Sequence, residues 1–342
     1  MMEERHGIAA AGNWILDITK MIDVFPAQDT LANILSKSTN NGGAPYNILK
    51  DLARLKAPFP LSAIGLVGQD EAGQHIIKDC QSHQIDTTQL VSIPDVGTSY
   101  TDVMLVKDTG RRTFFHYRGA NALFDTENID FRLLKSKIFH LGYLLLLDRL
   151  DEFEDTKRTK ASYLLENAKI AGFKTTVDIV SENSNRFKKV VLPSLPFIDV
   201  LFLNEYEASK ITGIDLSPDK LNINNIKIAI KKLLNYGVNE WVILHFPKGC
   251  VAGNGHSELI IQGSINLPGD KIIATTGAGD AFAAGVLFGL HEGWPMVECL
   301  KSGVCTAALS LTMPGCSDGI KESGYTFNIG NQFGFRNLEF SH

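Results

Sequence analysis

The run Thr275-Thr276-Gly277-Ala278-Gly279-Asp280-Ala281 sets a carboxylate directly behind a turn of small residues. Downstream, Phe282, Val286 and Leu290 recur four apart, so a helix over 281–290 is expected, entered from a short apolar strand at 272–274. The turn then lies at a helix N-terminus, where unpaired N–H groups and the positive dipole end bind anions. Gly277 and Gly279 lack side chains, which lets a phosphate approach the backbone. A carboxylate there repels a phosphate that is merely bound. Asp280 makes sense as a base that takes a proton from an attacking hydroxyl while the turn stabilises charge on the transferred group. An aspartate in a first helical turn also answers the macrodipole, and alone the position does not decide between the two. A Walker-type Gly-x-x-x-x-Gly-Lys-Ser/Thr run is absent.

Such a turn has to be held by a scaffold. Apolar runs at 63–67, 138–141, 174–178, 200–203 and 241–245 read as buried strands. Between them, 45–55, 72–83, 156–171, 204–211 and 226–236 have helical patterns. This alternation implies an α/β fold, a mostly parallel sheet with helices on both faces. Two regions depart from it. Residues 15–25 and 32–39 look extended with no helix between them, and 101–107 and 113–118 flank the hairpin signal Asp108-Thr109-Gly110. Together, from about 15–40 and 98–120, they are expected to form a small β-sheet lid on a single domain covering 1–342. Phosphoryl transfer has to exclude water, which suits a lid. Residues 325–342, rich in Phe, Asn and Gly, fit no element.

The 342 residues suffice for one large domain. With 33 Lys and Arg against 38 Asp and Glu, the net charge of -5 argues against a nucleic-acid partner. No apolar run reaches membrane-spanning length, and residues 1–6 are too charged for a secretory leader. Five scattered cysteines include no Cys-x-x-Cys pair, so small buried apolar side chains in a reducing cytoplasm are expected.

Four motifs in order give the chain a resemblance to the ribokinase/PfkB family of carbohydrate and nucleoside kinases. Thr275–Asp280 is similar to that family's C-terminal signature, and Asn41-Gly42-Gly43-Ala44-Pro45-Tyr46-Asn47 to its N-terminal Gly-Gly signature. Asn204-Glu205-Tyr206-Glu207 resembles its Asn-x-x-Glu motif, and Gly12-Asn13-Trp14-Ile15-Leu16-Asp17 its opening strand. The resemblance covers roughly residues 8 to 320. It implies a ribokinase-like (Rossmann-like) fold whose lid often builds a homodimer, and an ATP- and Mg²⁺-dependent kinase acting on a hydroxyl of a small sugar. It implies that Asp280 is the base and that Gly277, Ala278 and Gly279 form the anion hole. Asn13, Asp17, Gly42, Gly43 and Asn47 would hold the acceptor. Asn204, Glu207, Gly249, Thr276, Gly277 and Gly279 would serve the nucleotide, with Glu207 reaching Mg²⁺ through water.

Some positions depart from the family. Ala274 stands where an aspartate often helps bind a monovalent cation, so K⁺ activation is not expected. Leu244-His245-Phe246-Pro247-Lys248-Gly249 replaces a Thr-x-Gly-x-x-Gly run, and only Gly249 carries over. Arg118 either binds a substrate phosphate or pairs with a carboxylate. Asp178, at a strand end on the sheet's carboxyl edge, has no assigned role; His140 and Tyr143, at another strand end, either line the pocket or pack. A nucleoside kinase is the alternative acceptor reading. A non-catalytic sugar or nucleotide sensor is disfavoured because binding alone needs no base at Asp280.

Overall fold

The computed structural model describes residues 5–218, 221–256 and 258–338. Thirteen strands are formed among them: β1 (Ile8–Gly12), β2 (Ile15–Ile22), β3 (Ile34–Gly42), β4 (Leu61–Gly68), β5 (Asp86–Ile93), β6 (Ser99–Val106), β7 (Arg112–Tyr117), β8 (Ile138–Leu144), β9 (Lys174–Ile179), β10 (Val200–Asn204), β11 (Trp241–Phe246), β12 (Gly249–Asn254) and β13 (Leu259–Gly263). Nine build the main sheet in the order β13-β12-β11-β10-β9-β8-β1-β4-β5. From β11 to β5 every neighbouring pair is parallel; β12 and β13 add an antiparallel edge.

Strand sequence explains this sheet. β1 reads Ile-Ala-Ala-Ala-Gly and is buried at every position. Ala9 and Ala11 enter one core, Ile8 and Ala10 the other. β10 divides likewise, with Leu201 and Leu203 on one side and Val200 and Phe202 on the other. A strand apolar on both faces has to be covered on both. Helices Lys160–Ile170, Glu205–Thr212 and Ile223–Asn235 supply one layer; Ala44–Arg54, Glu71–Ser82, Ala278–His291 and Met296–Ser310 supply the other. Parallel strands bring their carboxyl ends to one edge, where ligands bind in such sheets. Register aligns Gly12 with Gly142 and Asn204 with His245 at that edge.

The second sheet runs β3-β2-β6-β7. β6 and β7 form the hairpin expected around Asp108–Gly110, and Gly110 takes φ +65° in its turn. Large apolar side chains lie bare on this sheet and its connections, among them Leu31, Ile34, Leu35, Phe114 and Phe115.

Several expectations are corrected. Residues 272–274 form no strand: Ile272 and Ile273 are exposed, and the Ile273 N–H bonds the Leu311 carbonyl. The helix expected from 156 starts at Lys160, because Thr159 caps it by accepting from the Ser162 N–H. β5, the β12–β13 hairpin and Met296–Ser310 were not anticipated. Within 325–338 lie parts of two short helices, Ser323–Phe327 and Ile329–Phe333; residues 339–342 fall outside the described residues. Among the described residues no helix is long and apolar enough to cross a membrane. All five cysteines are buried and unpaired with one another.

Candidate active site

The small-residue turn lies where expected. Gly277, at φ +78°, is the N-cap of Ala278–His291. A Cβ there would strain the backbone and stand 2.7 Å from the Cys316 Cβ. Asp280 follows in the first turn and is 5% exposed. The Tyr143 hydroxyl donates to both of its oxygens, at 2.7 and 2.9 Å, and the Asn47 amide donates at 2.6 Å. Burial raises the Asp280 carboxyl above its ordinary range; the bonds from Asn47 and Tyr143 pull the other way. Tyr143 itself is pushed far up by burial and by the facing carboxylates, so it stays a donor.

Asn47 is aimed by its neighbours. The Asn41 amide donates to Asn47 Oδ1 at 2.6 Å and to Ser317 Oγ at 3.0 Å. With its carbonyl thus occupied, Asn47 turns its NH₂ toward Asp280. Gly43 carries φ +82° before the helix Ala44–Arg54, and a Cβ there would meet the Asn13 carbonyl at 2.1 Å. Asp17, on β2, turns its carboxylate against Gly42, where a Cβ would stand 2.6 Å from its carboxylate carbon. Burial raises Asp17 to about 7, with the Thr101 hydroxyl opposing and the Asp280 charge adding. Asn13 is held by protein partners. It is fully buried; its Oδ1 accepts from the Tyr143 N–H at 2.6 Å and its NH₂ donates to the Leu146 carbonyl at 3.0 Å. Its amide therefore holds the end of β8, which carries Tyr143, and the turn that follows.

On the other side of the turn, Asn204 and Glu207 form a capping box for the helix Glu205–Thr212. Glu207 accepts from Asn204 N, Asn204 Nδ2 and Ser181 Oγ at 2.7–2.9 Å, and burial raises it to about 7. Asp178 is buried too and raised well above its usual range, first by desolvation, then by the charges of Asp280 and Glu207. Asp178, Glu207 and Asp280 all face a cavity of about 190 Å³ that also touches Tyr143 and Gly277–Gly279. Among the described residues no three His, Cys, Asp or Glu side chains could chelate a metal directly.

A larger cavity of about 610 Å³ shares Asn204, His245, Thr275, Ala278 and Gly279 with the first. One side is apolar: Phe282, Val304, Ala307 and Ala308 from the last two long helices and Leu311 just past them, with Ile265 and Leu267 also lining the cavity; Glu205, Lys248, Ser264 and Arg336 are among its polar lining. Gly249 lies on its strand side. His245 lies beneath Gly279, 3.3 Å from where a Cβ would be; burial lowers it to about 4, so it is neutral. The turn thus separates a roomy chamber with an apolar side from a small one lined by carboxylates.

Sequence leaves Tyr143 open between lining the pocket and packing; the structure puts it on the small cavity with its hydroxyl on Asp280. Arg112, on β7 of the small sheet, was passed over; its guanidinium donates to the hydroxyls of Thr275 and Thr276. A lone arginine beside a hairpin gives no signal of that reach. Arg118 pairs with Asp148 at 3.1 Å.

The family model for pfkB family carbohydrate kinases matches residues 12–323. An uncharacterized sugar kinase from Archaeoglobus fulgidus is 24% identical over 267 residues, covering 76% of this chain and 94% of the relative. Among solved structures, ribokinase from Arabidopsis thaliana, complexed with ribose and ATP, superimposes with a TM-score of 0.77 at 21% identity, over 95% of this chain and 98% of that one. A nucleoside kinase from Methanocaldococcus jannaschii gives 0.75 at 20% identity, over 95% and 98%. The fold is ribokinase-like, and the match over 12–323 carries the chemistry with it: the chain belongs to the pfkB family of carbohydrate kinases, phosphotransferases whose acceptor is an alcohol group.

Proposed function

We propose that the protein transfers the γ-phosphoryl group of ATP to a hydroxyl of a small sugar, with Asp280 as the base. The observation that carries this reading is the placement of Asp280. It is a desolvated carboxylate, held by two donors, in the first turn of a helix whose N-terminal turn lies between two cavities, and it faces the smaller of them. The apolar side of the larger chamber suits a nucleotide base. The backbone N–H groups of Gly277, Ala278 and Gly279 suit the charge that develops on the transferred group. Asp17, Asn47 and the backbone at Gly42-Gly43 offer hydroxyl partners on the acceptor side. In the transfer, the acceptor O–H proton passes to Asp280, the new O–P bond forms, and the bond between γ-phosphorus and the bridging oxygen breaks to release ADP.

Mg²⁺ fits the small cavity, because three buried carboxylates repel one another there and a hard cation offsets that charge. Glu207 and Asp178 would hold its waters, and its chemistry is to neutralise phosphate charge. Asn204 and Gly249 serve the nucleotide from the chamber wall, and Thr276 from the adjacent turn, where Arg112 holds its hydroxyl. The small sheet acts as a lid, reaching the turn through Arg112. Its bare apolar side chains support a homodimer formed through the lid.

The test is an acceptor screen: ADP release and thermal shift with ribose, fructose, their phosphates, adenosine and inosine. A sugar should give the highest kcat/KM. Turnover only with adenosine or inosine would make the protein a nucleoside kinase. Ligand-induced stabilisation with no ADP release from any acceptor would contradict the catalytic reading.

A further inference from the structure

The family match ends at residue 323, yet the residues beyond it build part of the larger cavity. Phe327, Ile329 and Phe333 pack on Cys305, Ala308 and Leu309 of the helix Met296–Ser310. Gly334, at φ +71°, then turns the chain back toward the sheet. Phe335 pairs antiparallel with Ile265, just past the end of β13. The Asn266 N–H donates to the Gly334 carbonyl at 3.0 Å, and the Arg336 N–H to the Ser264 carbonyl at 2.7 Å. Residues 334–336 therefore extend the sheet edge as a short strap. Two glycines make room for it: a Cβ on Gly263 would stand 1.9 Å from the Arg336 carbonyl oxygen, and one on Gly249 would stand 2.8 Å from Leu338 Cδ1.

This course brings Arg336 to the wall of the chamber, beside Lys248 and Ser264. Its side chain is exposed, and its guanidinium has no hydrogen-bond or ion-pair partner among the described residues. The adjoining small cavity is lined by the carboxylates Asp178, Glu207 and Asp280, against which Lys248 on the chamber wall and Arg112 at the turn are the nearby cations. An anionic nucleotide meets unfavourable charge there unless cations offset it, and a guanidinium is suited to phosphate and ribose oxygens.

We propose that residues 334–338 form the outer wall of the nucleotide pocket and that Arg336 is a nucleotide-binding residue contacting the bound nucleotide. This rests on the ATP reading above.

The test is calorimetric titration of the full chain with ADP, for the wild type, Arg336→Ala and Arg336→Glu. Arg336→Ala should weaken ADP by roughly tenfold, as loss of one charge-assisted hydrogen bond does, and Arg336→Glu by more. The acceptor KM and the ligand-free melting temperature should stay unchanged, because the side chain is exposed and unpartnered. If the wild type binds ADP and both variants bind it equally well, the assignment of Arg336 is wrong while the ATP reading stands. If the wild type binds no ADP, both fall together.

Discussion

Tyr143→Phe removes one hydroxyl and leaves the ring that fills the site. In the wild type that hydroxyl donates to both oxygens of Asp280. Its loss leaves the carboxylate as deeply buried as before, with Asn47 as its remaining side-chain donor among the described residues. The two influences on Asp280 then no longer oppose each other as evenly: desolvation still raises its pKa, and less restrains it. A hydrogen bond to a charged group contributes about 1.5–3 kcal/mol, which is about 1–2 pH units at 1.36 kcal/mol per unit. Because a base has to be ionised, the acidic limb of the kcat/KM profile should move upward by about that much. Activity lost on the acidic side should return as pH rises. The assay is initial-rate ADP release between about pH 5.5 and 9.5 with the best acceptor, beside circular dichroism to confirm folding. A uniform drop at every pH, with the limb unmoved, would refute the idea that Tyr143 acts by holding the ionised form of Asp280.

Asp17→Asn should lower kcat/KM for the acceptor by roughly tenfold or more while ADP binding measured without acceptor stays constant; equal losses in both would mean damage to the fold. The same carboxyl titrates near 7 in the folded chain against 3.8 unfolded, so it favours the folded state below about pH 4 and that contribution is lost as pH rises through 7. The ligand-free melting temperature should therefore fall across that window, and less steeply in Asp17→Asn. Glu207→Gln should raise the Mg²⁺ concentration needed for half-maximal rate; a lower melting temperature with an unchanged Mg²⁺ titration would reduce Glu207 to a helix cap. Arg112→Ala should reduce kcat with little change in ADP affinity, as loss of a cation at the transferred phosphate does, and an unchanged kcat would remove the lid from the chemistry.

Much of the fold could be read from the chain because its central strands are apolar without alternation and its helices carry a four-residue apolar repeat. The hairpin around Asp108–Gly110 was legible from its turn residues. Ile272-Ile273-Ala274 misled, since three apolar residues look like a strand whether they enter a sheet or line cavities. Met296–Ser310 was missed although it packs on Ala278–His291 along its length. Gly303 interrupts its pattern, and it is needed because a Cβ there would stand 2.8 Å from the Phe282 ring. In the site, the turn and Asp280 were legible as a motif because the small residues and the carboxylate are contiguous in the chain and run straight into a helical pattern. Tyr143 and Arg112 were not legible in that way. Their roles depend on where β8 ends and how far β7 leans over the turn, which no local pattern encodes.

The central claim is that Asp280 is the base, and Asp280→Asn tests it most directly because the amide keeps the shape and removes the proton acceptor. The measurement is single-turnover phosphoryl transfer with saturating ATP and acceptor, beside ADP affinity by calorimetry. Transfer should fall by ~10²–10⁴-fold with ADP affinity preserved. Transfer within about tenfold of the wild type, well short of the loss expected for a positioned base, would contradict the account.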